Sequence, residues 1–443
     1  MRMSQLLKLC SIVLLCSLFI SGRRQGRLYT DGGNRLVGIE AHNGRYRLYR
    51  NGLPYYIQGA NITDGRCLRA LKEAGANSVR IYNTSHAQEI LDSAYKLGLT
   101  VTVGLQMGYA DKDIDYNDPV AVKAQLEQLK AEVQKYKNHP ALLMWGVGNE
   151  TTLYMEDKLS RFFDHVRVSR AINAVARMIH QTDPHHPTVM MVQGGSSNRI
   201  NAMVCDEVDL IAYNSFEPVR DQLEKSSWEG PYLISEFGAR GYWKCGQTEW
   251  YRYIEPTSRE KIQFIEQQYR HFRADTVDCL GCYAFLWGQK QEYTSTWFSL
   301  YTPQGEPTAL TDALQALWAG KAVQQNTAIA GVRIDNKPDA ANIYLQAGKP
   351  YTAGAVVTAP LQNDAVLHWE IQTDRSGYLN DGDDPLRQVM MTDSFVLPAK
   401  RLSGKYEFRF TAPAVKGPFR LFLYLKAGTG NIATANACFY VYE

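Results

Sequence analysis

The chain has 443 residues, with 48 Lys and Arg against 45 Asp and Glu and a formal net charge of +3. That length exceeds one ordinary core and asks for two domains. With 45% hydrophobic and 21% charged residues and no long run of either sign, the composition is globular and excludes disordered and nucleic-acid-binding readings.

The N-terminus reads as a signal peptide over residues 1–22. Arg2 and Lys8 precede an apolar run from Leu9 to Ile20, and Ser21 and Gly22 come next. The run is too short to span a bilayer and suits a signal core. Cys16 lies inside it rather than after small residues, which disfavours lipid attachment. The expectation is an exported protein, secreted or periplasmic, without stable membrane insertion after cleavage. Cys67, Cys205, Cys245, Cys279, Cys282 and Cys438 remain after the leader, and sequence assigns no pairs among them. Cys279 and Cys282 have a redox spacing but open an apolar strand, so they read as structural.

From Leu36 to Tyr56 two Asn-Gly steps, Asn43-Gly44 and Asn51-Gly52, separate strand-like runs. They predict a small β-meander covering one end of the larger domain. Strands then alternate with helices. Apolar runs fall at Tyr55–Ala60, Ser78–Tyr82, Thr100–Gln106, Ala141–Gly148, Pro187–Val192, Leu210–Tyr213, Tyr232–Ser235 and Gly281–Trp287. Amphipathic helical stretches fall at Asp64–Ala74, His86–Leu97, Pro119–Lys137, Lys158–Gln181, Ser258–Asp275 and Thr308–Trp318. The connection after the fifth strand gives no clear helix. This is the α/β pattern of a (β/α)8 TIM barrel over residues 27–320, with the meander at its start. A doubly wound open sheet is weakened by the lack of a Gly-rich loop after the first strand. Beyond residue 325 helical periodicity stops, and short alternating runs predict an all-β immunoglobulin-like sandwich domain over residues 325–443. It would bind carbohydrate or brace the barrel.

Functional residues of such a barrel collect where strands end at the carboxyl face. The fourth strand ends on Asn149 and Glu150, and the seventh on Ser235 and Glu236. Two facing carboxylates are the minimum apparatus for breaking a glycosidic bond: one protonated to donate, one ionised to attack. Arg80, at the end of the second strand, and Tyr213, at the end of the sixth, are expected to hold Glu236 ionised. Asn149 is expected to bond a sugar 2-hydroxyl, and Trp287 to floor the sugar subsite. Tyr109, Trp243, Trp250 and Trp297 fall near the same mouth. Neither a metal nor a cofactor is called for. Asn61, Asn83 and Asn149 each begin an Asn-X-Ser/Thr sequon at this mouth, where a glycan would block the cleft, so the expectation is a bacterial source.

The segment Asn138 to Glu150 (NHPALLMWGVGNE) resembles the acid/base segment of glycoside hydrolase family two. Tyr49 to Asn61 and Asn77 to Arg80 resemble that family's entry into its barrel and its second strand, and Ile234 to Gly238 resembles the nucleophile strand of clan A. The resemblance covers roughly residues 45–320. It implies a retaining mechanism with Glu150 as acid/base, Glu236 as nucleophile and the two carboxyls about 5–5.5 Å apart. Family two normally carries a jelly-roll and an immunoglobulin-like domain before its barrel, whereas here the barrel pattern begins almost directly after the leader. Val79 to Thr84 and Val101 to Gln106 also resemble segments of barrel enzymes acting on β-1,3-glucans, so a clan A endo-β-1,3-glucanase family with a barrel-then-sandwich order is a close contender. The expected partner is a carbohydrate substrate, a poly- or oligosaccharide. The rival functions are a transglycosylase using the same carboxylates and a non-catalytic carbohydrate-binding protein.

Overall fold

The computed structural model describes residues 36–443 apart from 111, 154, 156–158, 195–197, 324–328, 359–360, 362–363, 375–390, 399–405 and 427–430. The expected signal peptide lies outside the described residues.

Strands β1 (Val37–His42), β2 (Arg45–Arg50) and β3 (Leu53–Pro54) form an antiparallel sheet in the order β1-β2-β3. Asn43, Gly44, Asn51 and Gly52 all take positive φ, the turn that Asn-Gly steps favour. Val37, Ile39, Tyr46 and Leu48 pack against Ile57, Leu143, Val189, Leu210 and Leu233 from the barrel strands. The meander is thus an apolar plug at one end of the barrel, away from the strands' carboxyl ends.

Eight parallel strands close the barrel: β4 (Ile57–Asn61), β5 (Ser78–Ile81), β6 (Thr100–Leu105), β7 (Leu142–Asn149), β8 (Thr188–Gln193), β9 (Leu210–Ser215), β10 (Tyr232–Phe237) and β11 (Cys279–Ala284). The first seven start and end close to their expected limits. β11 stops at Ala284, short of Trp287. Between them run α1 (Leu68–Glu73), α2 (Ala87–Leu97), α3 (Pro119–Tyr136), α4 (Phe162–Thr182), α5 (Arg199–Val204), α6 (Val219–Leu223), α7 (Ser258–Ala274) and α8 (Ala309–Trp318). Two of the long helices carry their start signals in the sequence. Asp118 caps α3 ahead of Pro119, and Thr257 forms a reciprocal capping box with Glu260 at α7. α5 and α6 are one-turn helices, too short to show a period, which is why the connection after the fifth strand is opaque in the sequence.

Two further sheets lie beyond the barrel. One runs in the order β13 (Lys337–Pro338), β12 (Ile329–Ile334), β15 (Pro350–Val357), β18 (Glu407–Thr411). The other runs β14 (Tyr344–Gln346), β20 (Ala433–Tyr442), β19 (Gly417–Lys426), β16 (Val366–Thr373), β17 (Met391–Pro398). Val332, Ala353, Leu367, Trp369, Leu421 and Phe439 fill one core between them, so Trp369 is a core residue and not a sugar platform.

A buried polar cluster joins the sandwich to the barrel. Glu255, before α7, accepts from Lys261 Nζ (2.6 Å) and Thr296 (2.8 Å) on one oxygen, and from Thr294 (2.7 Å) and Asn436 Nδ2 (2.8 Å) on the other. Arg420 of β19 pairs with Asp374 at 2.9 Å and donates to Asn436 Oδ1 and to the carbonyl of Tyr253. Arg252 donates to the Asp374 carbonyl at 3.0 Å. All these ions are almost wholly removed from solvent.

Candidate active site

Successive side chains of a regular strand point to opposite faces, yet the chain brings two neighbours into the mouth at each catalytic strand end. β7 does this by a register shift against β8 between Gly146 and Asn149, with Gly148 at φ 67° and Glu150 at φ 51°. A non-glycine residue in that left-handed region costs on the order of 1–2 kcal/mol. In return Asn149 and Glu150 both reach the same hydrogen-bond network. β10 shifts register against β9 between Ile234 and Glu236, and Ser235 and Glu236 both reach inward. Such bulges re-aim side chains next to functional sites.

The network is continuous from one glutamate to the other. Arg80 Nη1 pairs with Glu236 Oε1 at 2.8 Å and also donates to Asn61 Oδ1 at 2.9 Å. Its Nη2 donates to Asn149 Oδ1 at 2.6 Å. Tyr82 donates its hydroxyl to Glu236 Oε1 at 3.1 Å, and its ring lies under the Arg80 guanidinium, 4.5 Å from Cζ. Asn214 Nδ2 donates to Glu150 Oε1 at 2.8 Å and approaches Asn149 Oδ1 at 3.3 Å. Ser235 Oγ in turn donates to Asn214 Oδ1 at 2.7 Å, which fixes the orientation of that amide. Both donors to Glu236 converge on Oε1. Among the described residues nothing donates to its Oε2, and nothing accepts from Asn149 Nδ2.

The two carboxylates are electrostatically unlike. Glu236 is buried against a cation. Glu150 is pushed up to about 7, first by burial and then by the charge of Glu236; its bond from Asn214 and the more distant Arg80 only partly offset this. Burial and the Glu236 charge also push the Tyr82 hydroxyl well above its ordinary value, so it stays a proton donor. A carboxyl that holds its proton near neutrality beside one paired with a cation is the arrangement acid–nucleophile chemistry requires.

The structure brings Arg80, Asn149, Glu150 and Glu236 together and moves two other expected residues out. Tyr213 faces outward: its hydroxyl bonds Ser226 at 2.6 Å and its ring packs on Tyr232 in the outer layer. Its neighbour Asn214 takes the inward position, and Tyr82 supplies the hydroxyl expected of Tyr213. Trp287 is only 3% exposed and packs on Trp318 and Tyr301, between the barrel and α8, so it offers no open face as a subsite floor. It lies beyond the end of β11, where its backbone N–H still donates to the Asn61 carbonyl at 3.0 Å, but its ring is turned away from the mouth. Among the described residues no disulfide joins the six cysteines from Cys67 to Cys438.

Residues 65–294 match the family described as glycosyl hydrolases family 2, TIM barrel domain. A β-glucuronidase of Felis catus is 22% identical over 234 residues, covering 47% of this chain and 34% of that protein. One of Streptococcus agalactiae serotype V is 26% identical over 247 residues, covering 45% of this chain and 39% of that protein. The chain thus spans little more than a third of the length of these relatives. A solved β-glucuronidase of Bacteroides uniformis superposes with a TM-score of 0.48 at 16% identity, covering 92% of this chain and 48% of that one.

Proposed function

From the premise that the chain belongs to the glycosyl hydrolases of family 2 through its barrel domain, we propose that it hydrolyses β-glycosidic bonds with retention of configuration. In the first step Glu236 Oε2 attacks the anomeric carbon while protonated Glu150 gives its proton to the departing oxygen. In the second, ionised Glu150 takes a proton from water, and the water oxygen displaces Glu236. Asn149 Nδ2 is the group that bonds the sugar 2-hydroxyl in this reading. One observation carries this reading: a single cation, Arg80, serves Glu236, while Glu150, connected through Asn149 and Asn214, is pushed up to about 7. The substrate we infer is a β-linked poly- or oligosaccharide cut internally, with β-1,3-glucan the first candidate from the Val79–Thr84 and Val101–Gln106 segments. We also infer an exported protein, from the leader over residues 1–22.

The test is a screen of the purified chain against soluble β-glucans, β-mannan, galactan and aryl β-glycosides, the β-glucuronide included, with Glu236→Gln alongside. Products released by the wild type with retained anomeric configuration, and a loss of at least about 10³-fold in the variant, are expected. Oligosaccharides longer than the substrate would point to transglycosylation. Binding by both proteins without turnover by either would leave a carbohydrate-binding protein.

A further inference from the structure

Four aromatic residues fall near the mouth by sequence, and the structure disposes of two. Trp297 is fully buried, with Nε1 donating to the Arg240 carbonyl at 2.8 Å. Trp250 packs against Tyr344 and Tyr440 of the sandwich. Tyr109 and Trp243 stay open, at 37% and 39% exposure.

Both open rings are anchored. Tyr109 comes after β6, and its hydroxyl donates to the Asn149 carbonyl at 3.2 Å, one residue from Glu150. Trp243 comes after β10, seven residues beyond Glu236. Its ring stands edge-on to Phe216 and Tyr242, and its Nε1 lies 3.4 Å from Glu217 Oε1, a carboxylate that also pairs with Lys244 at 3.2 Å. Gly241 leaves room for that ring, since a Cβ there would lie 2.5 Å from Trp243 Cζ2.

Their placement is set by topology. Around the closed barrel the order is β10-β11-β4-β5-β6-β7-β8-β9. β6 and β10 are therefore four strands apart in either direction, diametrically opposite across the mouth. We propose that Tyr109 and Trp243 are two sugar-stacking platforms on opposite sides of the catalytic pocket, and that the ligand is an oligosaccharide of β-linked pyranose rings laid across it. The apolar faces of such rings stack on aromatic rings. Tyr109 stands on the Glu150 side, where the proton goes to the departing oxygen, so it carries the leaving sugar. Trp243, opposite, carries a ring on the other side of the cleaved bond. Occupation of both sides makes cleavage internal. This inference rests on the reading of the chain as a hydrolase.

The experiment compares kcat/KM on p-nitrophenyl β-glucoside, which fills the central pocket alone, with that on end-labelled tetrasaccharides of β-1,3-glucan, β-1,4-mannan and β-1,4-galactan. In wild type the tetrasaccharide that is cut should be preferred. In Trp243→Ala the ratio of tetrasaccharide to aryl glycoside should fall about 10- to 100-fold, mostly through KM. Gly241→Ala, which displaces the ring without removing it, should give a smaller fall in the same direction. Tyr109→Ala should lower the ratio and reduce capture of added oligosaccharide as acceptor, while Tyr109→Phe, which keeps the ring, should restore most of both. An unchanged ratio in Trp243→Ala and Tyr109→Ala, or a wild type that cuts the aryl glycoside but no tetrasaccharide, overturns the platforms. A wild type inert on every substrate overturns the hydrolase reading on which they rest.

Discussion

Two buried charge clusters of this molecule look alike in composition and are balanced in opposite ways. At the junction of barrel and sandwich, three cations, Lys261, Arg252 and Arg420, face two carboxylates, Glu255 and Asp374. At the mouth one cation, Arg80, is shared by two carboxylates, Glu236 and Glu150, and Glu292 adds further negative charge. Burial alone would push Glu255 up, but Lys261 and Arg420 outweigh it and hold its carboxyl below the ordinary value. Burial acts on Glu150 too, and there an amide and a distant, already committed arginine cannot offset it. A carboxylate with matched cations is locked in one charge state and serves as a joint. One left without a cation of its own sits where its proton can leave and return near neutral pH.

The largest expected effect removes the mismatched carboxyl. Glu150→Ala should lose about 10²- to 10⁴-fold in turnover on substrates whose leaving group needs a proton. On dinitrophenyl glycosides, which need none, azide should restore turnover by attacking the glycosyl-enzyme from the vacated side. The wild type should show an alkaline limb in kcat/KM near pH 7, since Glu150 acts in its protonated form, and the variant should lack it. An alkaline limb that survives in Glu150→Ala would assign the proton to another group and undo the contrast between the clusters.

The second effect belongs to the junction. Glu255→Gln leaves Lys261, which is 1% exposed, facing a neutral partner in the interior. Breaking a buried pair from one side costs about 3–5 kcal/mol. Urea unfolding should show that loss in midpoint, with barrel and sandwich no longer unfolding together. A variant as stable as wild type would mean that the junction does not depend on its charge balance.

How far these clusters can be read in the sequence differs for a physical reason. Glu150, Glu236, Arg80 and Asn149 are legible because strand ends of a barrel meet at one face and each strand ends where its apolar run does. Tyr213 and Asn214 cannot be told apart: Leu210, Ile211, Ala212 and Tyr213 are all apolar-compatible because a parallel strand is buried on both faces, so no alternation marks the inner one. Tyr82 could have been found, since it stands two residues after Arg80 and such neighbours share a side. The bulges that aim Asn149 with Glu150, and Ser235 with Glu236, leave a trace only in Gly148. The junction is invisible, because Glu255, Arg420 and Asp374 are far apart in the chain and each alone reads as an ordinary surface charge.

A smaller effect tests the cost of the mismatch. The ordinary Glu150 carboxyl of the unfolded chain titrates near 4.5 and the folded one near 7. The raised value means the folded state disfavours the ionised form, so the group's favourable contribution is present below the unfolded value and is lost as pH rises through 7. Glu150→Gln should therefore match wild type in stability at about pH 4 and exceed it by about 3 kcal/mol at about pH 8–9, the gain opening between those limits. Thermal melts across that range decide it. A gain equal at both ends would trace to packing and not to charge.

The finest test separates the two donors on Glu236. Arg80 supplies charge, while Tyr82 supplies one hydroxyl bond to the same oxygen, Oε1. In the first chemical step the carboxylate is consumed, and in the second it is expelled as an anion. A hydroxyl on Oε1 therefore favours the second step more than the first. Tyr82→Phe should slow loss of the sugar from Glu236 by about tenfold, roughly 1.4 kcal/mol, the scale of one bond to a charged group. With a dinitrophenyl glycoside this appears as a burst, then a lower kcat and a lower KM, because the covalent intermediate accumulates. A fall in kcat/KM without a burst would place Tyr82 in the first step instead. It would then be Arg80 alone that assists the departure of Glu236.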